Sequence, residues 1–388
     1  MKIAIPRERR PHEKRVAATP ETVKKFTALG LDVVVEAGAG LTAMFPDADY
    51  AAAGATLAAS LGDTLKGADI VLKVQRPCRG GADGEDELKL MKPGAMLVAI
   101  LAPHSDEAGL EAYAKAKVDA FAMELMPRIT RAQSMDVLSS QSNLAGYKAV
   151  IDAANEFNKA FPMMMTAAGT VAPARVLVMG AGVAGLQAIA TARRLGAIVS
   201  ATDVRLAAKE QVESLGAKFV MVESEEAKQA ETAGGYAKEM SDEYKKAQAA
   251  LIAETLKKQD IAICTALIPG RKAPTLITAE MVHSMRPGSV IVDLAVEQGG
   301  NCELSKPGEV VDVNGVKIVG RYNVPSLLST DSSALYAKNL LNFLTPLIDT
   351  ATKSLKINWE DQIITGTALT RDGKIVHPNF MPKSDKGA

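Results

Sequence analysis

Residues 174–203, ARVLVMGAGVAGLQAIATARRLGAIVSATD, contain the clearest structural pattern of the sequence. Its first apolar run predicts a strand, the glycine-rich turn predicts a tight bend, and the next run has the period of a helix that ends at Gly196. A second apolar strand completes the stretch. A strand, a helix and a strand in this order are typical of a parallel βαβ unit with a right-handed crossover.

The same alternation runs through most of the chain. Further strands are predicted in short apolar runs: KIAIP, LDVVVEAG, ADIVLKV, AMLVAIL and VDAFAMEL before the stretch, and AKFVMV, DIAICTAL, SVIVDLAV and VKIVG after it. Between the first two, TPETVKKFTALG predicts a helix with Thr19 as N-cap, Pro20 as its first residue and Gly30 just past its end. Repeated units of this kind build parallel sheets that are covered by helices.

We therefore predict an α/β protein with two Rossmann-like, doubly wound parallel-sheet domains and a cleft between them. The first domain is discontinuous, residues 1–136 plus 328–388, because a helical pattern at 331–346 is expected to cross back to it. The second domain is 137–327. Helices at 138–161 and 331–346 are expected to connect the two.

Composition excludes several functions. The chain has 388 residues, of which 47% are hydrophobic and 23% charged, and its 45 basic residues balance its 45 acidic ones. Such a chain has no strong field to hold nucleic acid or an anionic membrane. Its apolar windows are too short to span a bilayer, its cysteines lie far apart, and its histidines lack zinc-site spacing. We expect a soluble cytosolic protein without a metal.

The glycines Gly180, Gly182 and Gly185 have the G-x-G-x-x-G spacing, directly after a predicted strand and at the start of a predicted helix. In this motif the first glycine makes the turn, the second lets a pyrophosphate approach, and the third packs helix on strand. Asp203 ends the next strand about 20 residues on, where a carboxylate binds the ribose hydroxyls of NAD and repels a 2′-phosphate. The motif predicts NAD(H).

Other interpretations of these residues stay open. Arg205 could accommodate the 2′-phosphate of NADP(H). The glycines could form a turn that binds nothing, and Asp203 could simply cap a helix. The run Met163–Met165 is interpreted as pliable core or interface filling.

A dehydrogenase of alcohols, hydroxy acids or amino acids also needs a group that exchanges a proton with its substrate. His104 and Lys73 are the candidates near predicted strand ends of the first domain. His104 is better explained as a loop histidine, and Lys73 as an ordinary strand residue. A hydroxyl-rich, polar passage, RITRAQSMDVLSSQSNLAGY at 128–147, lies just before the glycine motif instead.

The sequence resembles the NAD(H)-binding soluble α subunit (domain I) of proton-translocating nicotinamide nucleotide transhydrogenase. The resemblance runs almost end to end, and these segments carry it: IAIPRERRPHEKRVAATPE, LKVQRP, YAKAKVDAFAMELMPRITRAQSMDVLSSQSNLAGYKAV, FPMMMTAAGTVAPARVLVMGAGVAGLQAIATARRLGA, AETAGGYAKEM, TALIPGRKAP and VIVDLAVEQGGNCE. RAQSMD and AGGYAKEM are specific to that family, whereas the glycine motif is not.

The resemblance implies roles for the polar passage. Arg128 and Asp136 would orient the nicotinamide and the neighbouring phosphate, Ser139 would contact the carboxamide, and Gln133 would reach the ribose of a partner's NADP(H). The implied cofactor contacts are Arg128, Ile129, Thr130, Arg131, Gln133, Ser134, Met135, Asp136, Gly180, Gly182, Val183, Ala184, Gly185, Asp203, Val204, Arg205, Gly235, Tyr236, Gln248 and Leu267. The alternative is a capped helix start with Asp136 or Ser139 as the cap.

A charged insertion runs from Glu223 to about Lys245. Gly235 and its neighbour would act as a hinge and Tyr236 would cover the bound nucleotide, since the family has a mobile loop here. A solvated pair of amphipathic helices is the alternative.

Alanine dehydrogenases have a similar overall pattern and share Arg15, but their substrate lysine would fall on Gln75 and their catalytic histidine at or near Ile100. The resemblance therefore implies a transhydrogenase of the Si-specific class, in which NADH passes hydride directly to NADP⁺ on a partner subunit and the reaction is coupled to proton translocation. It implies NADP(H)-binding and membrane-spanning partner subunits, a homodimer, and peripheral association with the inner membrane. An alanine-type dehydrogenase is the runner-up, and a non-catalytic NAD sensor is a third class.

Overall fold

A computed structural model describes residues 1–81, 84–222, 241–268 and 270–381 of the chain. By their internal contacts the residues form two compact units. The first consists of Met1–Gln141 together with Ser326–Ala388, and the second of Ser142–Pro325. Strands and helices are numbered below in chain order.

The first unit is built on a six-stranded sheet in which all neighbours are parallel and the strand order is β3-β2-β1-β4-β5-β6. Its strands are β1 (Lys2–Ile5), β2 (Asp32–Glu36), β3 (Thr56–Ala58), β4 (Ile70–Gln75), β5 (Met96–Ile100) and β6 (Asp119–Ala122). The order reverses between β1 and β4, which is the doubly wound topology that the sequence predicts.

Short helices connect these strands: α1 (Pro20–Ala28), α2 (Asp47–Ala52), α3 (Leu61–Leu65) and α4 (Glu107–Lys115). The start of α1 follows the predicted signals, because the Thr19 hydroxyl accepts from the Thr22 N–H and Pro20 is the first helical residue. Gly30 has φ +80° just beyond the helix, a conformation that favours glycine.

The second unit contains a seven-stranded sheet with the order β11-β10-β9-β12-β13-β15-β14, parallel except for its last pair. Its strands are β9 (Arg175–Met179), β10 (Ile198–Thr202), β11 (Lys218–Phe219), β12 (Ile261–Cys264), β13 (Val290–Asp293), β14 (Val310–Val313) and β15 (Val316–Val319). A separate antiparallel hairpin, β7 (Met164–Thr166) and β8 (Gly169–Val171), precedes it.

Helices of the second unit are α6 (Val183–Arg194), α7 (Ala208–Ser214), α8 (Asp242–Leu256) and α9 (Ala279–Ser284). The long helix α5 (Val137–Glu156) begins in the first unit and continues in the second. After the second unit, α10 (Ser329–Leu344) and α11 (Gln362–Thr367) belong to the first, with two short strand pairs, β16 (Ile348–Asp349) with β17 (Ser354–Leu355) and β18 (Thr370–Arg371) with β19 (Lys374–Ile375).

The central strands of both sheets are buried on both faces, as in most parallel sheets. Along β1, Ile3 and Ile5 pack into one apolar cluster while Ala4 packs into another on the opposite face. In the second unit Val176 and Val178 lie in one cluster and Leu177 in another. This two-sided burial explains why the strands appear in the sequence as continuous apolar runs.

The structure differs from the sequence prediction in local detail. Strands β3 and β14 are additional to the predicted strands, and only two residues of the predicted run AKFVMV pair in β11. The Met163–Met165 run is not core, because its side chains are 59%, 43% and 79% exposed on the β7–β8 hairpin. None of the helices in the described part of the chain has the length and apolar character needed to cross a membrane.

Candidate functional site

The strand order of the second sheet reverses between β9 and β12, and open α/β sheets bind ligands at the carboxyl ends of strands at such a point. The glycine motif follows β9 directly. Thr265 follows β12, and its hydroxyl donates to the Gly180 carbonyl over 3.0 Å, which joins the two loops. The motif therefore lies where this topology places a ligand.

The first and third glycines of the motif are required by packing. Gly180 has φ +103°, and a Cβ added there would lie 2.6 Å from the Thr265 hydroxyl. A Cβ on Gly185 would lie 1.8 Å from the Gly180 carbonyl oxygen, so helix α6 meets the strand backbone to backbone. Any larger residue at either position would push the turn and the helix apart.

Gly182 is different, because no heavy atom of the described residues lies within 4 Å of an added Cβ. It is the exposed N-cap residue of α6, with extended backbone, and no side chain among the described residues caps this helix. The first helical N–H groups and the partial positive charge of the helix start thus adjoin open space. This space suits a pyrophosphate.

Asp203 lies beside the same turn. Its carboxylate accepts from the Ala181 N–H over 2.8 Å, which ties the end of β10 to the motif. It also accepts from Nε and a terminal nitrogen of Arg205, each over 2.9 Å, and from the Arg205 N–H. Arg205 is therefore held against Asp203, and a ribose hydroxyl would have to displace its guanidinium to bind this carboxylate.

The remaining predicted contacts of the second unit differ in burial. Gln248 is buried; its amide donates to the Thr202 hydroxyl over 2.8 Å and accepts from the Val222 N–H, so it links the end of β10 to the residues after β11. Exposed residues are Val183 and Leu267, half-buried ones are Ala184 and Val204, and Gly235 and Tyr236 lie outside the described residues. The structure thus gathers the glycine motif, Asp203 and the loop after β12.

Segment 128–136 of the first unit contains a 3₁₀ helix at Thr130–Met135. Ala132 and Met135 are buried in the core beneath it. The exposed side chains of the segment are Arg128, Thr130, Arg131, Gln133 and Ser134, whereas Ile129 is half-buried. The two buried residues fix the segment and leave the polar ones on the surface.

Arg131 forms a two-point ion pair with Asp361, with nitrogen–oxygen distances of 2.7 and 2.8 Å. Asp361 also caps α11 by accepting from the Ile363 N–H. This pairing gives Arg131 a structural role on the surface of the first unit.

Asp136 caps helix α5, because its carboxylate accepts from the N–H and the hydroxyl of Ser139. The capping alternative from the sequence is therefore present in the structure. Both side chains are only half-buried, so the cap orients the carboxylate and hydroxyl at the surface of the first unit.

Two residues that the sequence patterns did not indicate donate hydrogen bonds to segment 128–136. The amides of Asn339 and Asn342 on α10 donate to the Ser134 carbonyl over 2.8 and 3.1 Å. They lie more than 200 residues along the chain from Ser134, and their spacing matches no motif. Only the fold brings them to this segment.

The positions that resemble the alanine dehydrogenase substrate site form a closed network. Arg15 is 4% exposed and makes a two-point ion pair with Glu13, at 2.7 Å for both bonds, and donates to Gln141 over 2.8 Å. Gln75 donates to the same Glu13 over 2.9 Å. Burial pushes the pKa of Glu13 up, but the hydrogen bonds and charge of Arg15 outweigh it and bring that pKa to about 2.

The two candidate proton-transfer groups of the first unit have structural partners. Lys73 is fully buried between Glu87 at 3.1 Å and Glu8 at 3.4 Å. Burial lowers its pKa, but the two carboxylates outweigh this and raise the pKa above the ordinary lysine value, which keeps the ammonium charged. His104 is exposed in a loop, with its ring against Phe380.

Comparison with known proteins agrees with this architecture. The first portion of the alpha subunit of the NAD(P) transhydrogenase of Rhodospirillum rubrum is 63% identical over 97% of this chain and 98% of its own length. An alanine dehydrogenase of Halomonas elongata is 31% identical over 97% of this chain and 95% of its own length. The crystal structure of transhydrogenase from Sinorhizobium meliloti matches with a TM-score of 0.86 and 55% identity, covering 97% of this chain and 100% of that chain.

The alanine dehydrogenase/PNT N-terminal domain matches residues 4–145, and the alanine dehydrogenase/PNT C-terminal domain matches residues 149–378. The predicted resemblance is thereby confirmed. The chain belongs to the alanine dehydrogenase/PNT family of oxidoreductases.

Proposed function

We propose that this chain is the NAD(H)-binding subunit of a proton-translocating transhydrogenase, and that its second unit holds NAD(H), the role predicted for domain 137–327. The observation that carries the nucleotide site is the open space at Gly182, at an uncapped helix start beside the Asp203 carboxylate. Gly180, Gly182 and Gly185 with the first turn of α6 would hold the pyrophosphate. Asp203 would accept from the ribose hydroxyls once Arg205 moves aside.

NAD(H) supplies a hydride at its nicotinamide ring. A hydride passes directly between two nicotinamides without any proton changing hands, so the site needs positioning and exclusion of water but no acid or base. Two observations support this chemistry over amino-acid oxidation. Lys73 is ion-paired with Glu87, and neither Gln75 nor Ile100 has a titratable side chain.

Segment 128–136 would supply the positioning. Arg128 and Asp136 would orient the nicotinamide and its phosphate, and Ser139 would bind the carboxamide. The exposure of Gln133 on a segment anchored by Ala132 and Met135 supports its assignment to the NADP(H) of a partner subunit. The other proposed contacts are Ile129, Thr130, Arg131, Ser134, Val183, Ala184, Val204, Gly235, Tyr236, Gln248 and Leu267.

The proposed partners are an NADP(H)-binding subunit and a membrane-spanning subunit, which would carry the proton pathway. The chain would act as a homodimer on the cytoplasmic side, bound peripherally to the inner membrane through those subunits. The subunit name of the Rhodospirillum rubrum relative supports an assembly of this kind.

Gln133→Ala tests this proposal. With an NADP(H)-binding partner domain added, the wild-type chain is expected to transfer hydride from NADH to NADP⁺, and the variant is expected to do so about tenfold more slowly or worse, because misalignment of reacting groups is costly. NADH binding by the isolated chain, followed by its fluorescence, is expected to change little. Gln362→Ala, at another exposed glutamine of the first unit, is the matched control.

If the Gln133→Ala variant transferred hydride at the wild-type rate, Gln133 would not be part of the hydride-transfer site. A wild-type chain that binds NADH but transfers no hydride with any partner would instead be a nucleotide sensor.

A further inference from the structure

A series of hydrogen bonds runs from the end of β4 to helix α5 in the first unit. Gln75 donates to Glu13 over 2.9 Å, and Glu13 accepts both arms of the Arg15 guanidinium. The remaining terminal nitrogen of Arg15 donates to the Gln141 amide oxygen over 2.8 Å. Each of these hydrogen bonds involves the Glu13 carboxylate, the Arg15 guanidinium or both.

The bonds continue from α5 to segment 128–136. The Gln141 amide donates to the Ser140 hydroxyl over 3.2 Å, and this hydroxyl donates to the Asn339 amide oxygen over 2.7 Å. The Asn339 nitrogen then donates to the Ser134 carbonyl over 2.8 Å. We name the whole series, Gln75, Glu13, Arg15, Gln141, Ser140, Asn339 and Ser134, the polar chain.

Several polar side chains along the polar chain are buried. Arg15, Gln141 and Asn339 are 4%, 6% and 7% exposed. Breaking a hydrogen bond of a buried side chain leaves a desolvated polar group without a partner, which is unfavourable. These hydrogen bonds therefore hold the buried side chains in one orientation. Asn339 uses both ends of its amide in the polar chain, as acceptor from Ser140 and as donor to Ser134. It therefore couples helix α10 and helix α5 to the backbone of segment 128–136.

We propose that Asn339 is a positioning residue for hydride transfer: by holding the Ser134 carbonyl, it sets the direction of the neighbouring Gln133 and of Asp136. This inference rests on the proposed function, which assigns those two side chains to the nucleotides. Asn339 itself touches neither nucleotide. It acts through the backbone of the segment that carries the contacts.

Asn342 provides a matched control on the same helix. Its amide donates to the same Ser134 carbonyl over 3.1 Å, but it is partly exposed and has no bond to Ser140. Water can replace a bond of this kind at little cost. If the polar chain orders segment 128–136, replacing Asn339 has a larger effect on this segment than replacing Asn342, although both amides bond the same carbonyl oxygen.

The experiment compares Asn339→Ala, Asn342→Ala and Ser140→Ala in the full chain with an added NADP(H)-binding partner domain. Single-turnover hydride transfer is expected to slow about tenfold in Asn339→Ala and less than about twofold in Asn342→Ala. Ser140→Ala removes only one hydroxyl, so it serves as the second variant if Asn339→Ala does not fold. It is expected to slow transfer severalfold. The Kd for NADH is expected to stay within about twofold of wild type in all three, because the pyrophosphate site is in the second unit.

Amide hydrogen exchange is the second readout and needs no partner. Residues 130–136 are expected to exchange faster in Asn339→Ala and Ser140→Ala, and at the wild-type rate in Asn342→Ala. Equal effects of the Asn339 and Asn342 variants on exchange, or equal losses of NADH binding and transfer, would overturn the positioning role. If the wild-type chain transfers no hydride, the proposed function fails, and the exchange pattern still decides whether Asn339 orders the segment.

Discussion

Gln75 and Ile100 are register partners across the parallel strands β4 and β5. The sequence resemblance implies the substrate lysine of an alanine dehydrogenase at Gln75 and its catalytic histidine at or near Ile100, so the two expected positions are neighbours in this fold. In this chain they hold an amide, which donates to Glu13, and an aliphatic side chain. Neither can exchange a proton with an amino acid near neutral pH.

The wild-type chain is accordingly expected to produce no NADH from alanine and NAD⁺. The missing proton transfer typically contributes about 10²–10⁴-fold to such reactions, so the rate should fall below about one hundredth of a dehydrogenase assayed alongside. Absorbance of NADH at saturating alanine is the measurement. Alanine-dependent turnover that survives further purification would assign the chain to the dehydrogenase branch of its family.

Gly182 and Gly185 give a matched pair that separates binding from folding. An Ala side chain at Gly185 would overlap the Gly180 carbonyl, so Gly185→Ala is expected to lower the free energy of unfolding by about 1–3 kcal/mol. Gly182→Ala meets open space at φ −78°, so stability should change by no more than about 1 kcal/mol. NADH binding should nevertheless weaken by about tenfold, or about 1.4 kcal/mol, because the methyl group would occupy the proposed place of the pyrophosphate.

Urea unfolding and NADH titration of the two glycine variants check this contrast. Unchanged NADH affinity of a folded Gly182→Ala variant would place the pyrophosphate elsewhere.

The Asp203–Arg205 pair predicts how the chain selects its nucleotide. Asp203→Asn removes the carboxylate that is proposed to repel a 2′-phosphate, and it releases the charge of Arg205. NADH should bind about tenfold more weakly and NADPH more tightly, so the ratio of their Kd values should move toward one. Adding Arg205→Ala to that variant should cancel the gain for NADPH. An Asp203→Asn variant with the wild-type ratio of Kd values would show that this carboxylate does not bind the ribose.

Glu124 predicts a dependence of stability on pH. Its carboxylate accepts from the Leu101 and Ala102 N–H groups, its other oxygen is buried, and burial raises the pKa of this side chain from 4.5 to about 7. The folded chain thus keeps a proton that the unfolded chain has released, and the burial cost of the charge appears as the pH rises from about 4.5 to about 7. Glu124→Gln lacks this titration.

The free energy of unfolding of Glu124→Gln minus that of wild type is therefore expected to increase between about pH 5 and pH 8, by roughly 1–3 kcal/mol. Urea unfolding at the two pH values measures it, and the subtraction cancels groups that titrate in both proteins. A difference that is constant, or that decreases, over this range would show that Glu124 ionises normally.

Apolar runs, turn residues and caps were sufficient to predict the strand–helix order, the start of α1 and the glycine motif, because these features depend on neighbours in sequence. The contacts that hold the candidate site depend on the fold. Asn339 bonds Ser134, and Arg131 pairs with Asp361, across separations of 205 and 230 residues. Gly146 is a mid-helix glycine in the sequence, yet a Cβ there would lie 2.0 Å from the Ala184 carbonyl oxygen at the start of α6.

Such pairings have no periodicity to reveal them, because one partner is a single polar or small residue in an otherwise ordinary helix. The two-sided burial of the two parallel sheets was predictable for the opposite reason, since every residue of a strand contributes to the same pattern. Residues that support a site at long range are therefore the ones for which a structure is needed.

Direct passage of hydride from NADH on this chain to NADP⁺ on a partner can be followed with an isotope. The experiment mixes the chain, an NADP(H)-binding partner domain and NADH that carries deuterium at both C4 positions, and then measures deuterium in the NADPH formed. Direct transfer predicts one deuterium in each NADPH and none released to water. NADPH without deuterium, or no NADPH at all, would contradict it.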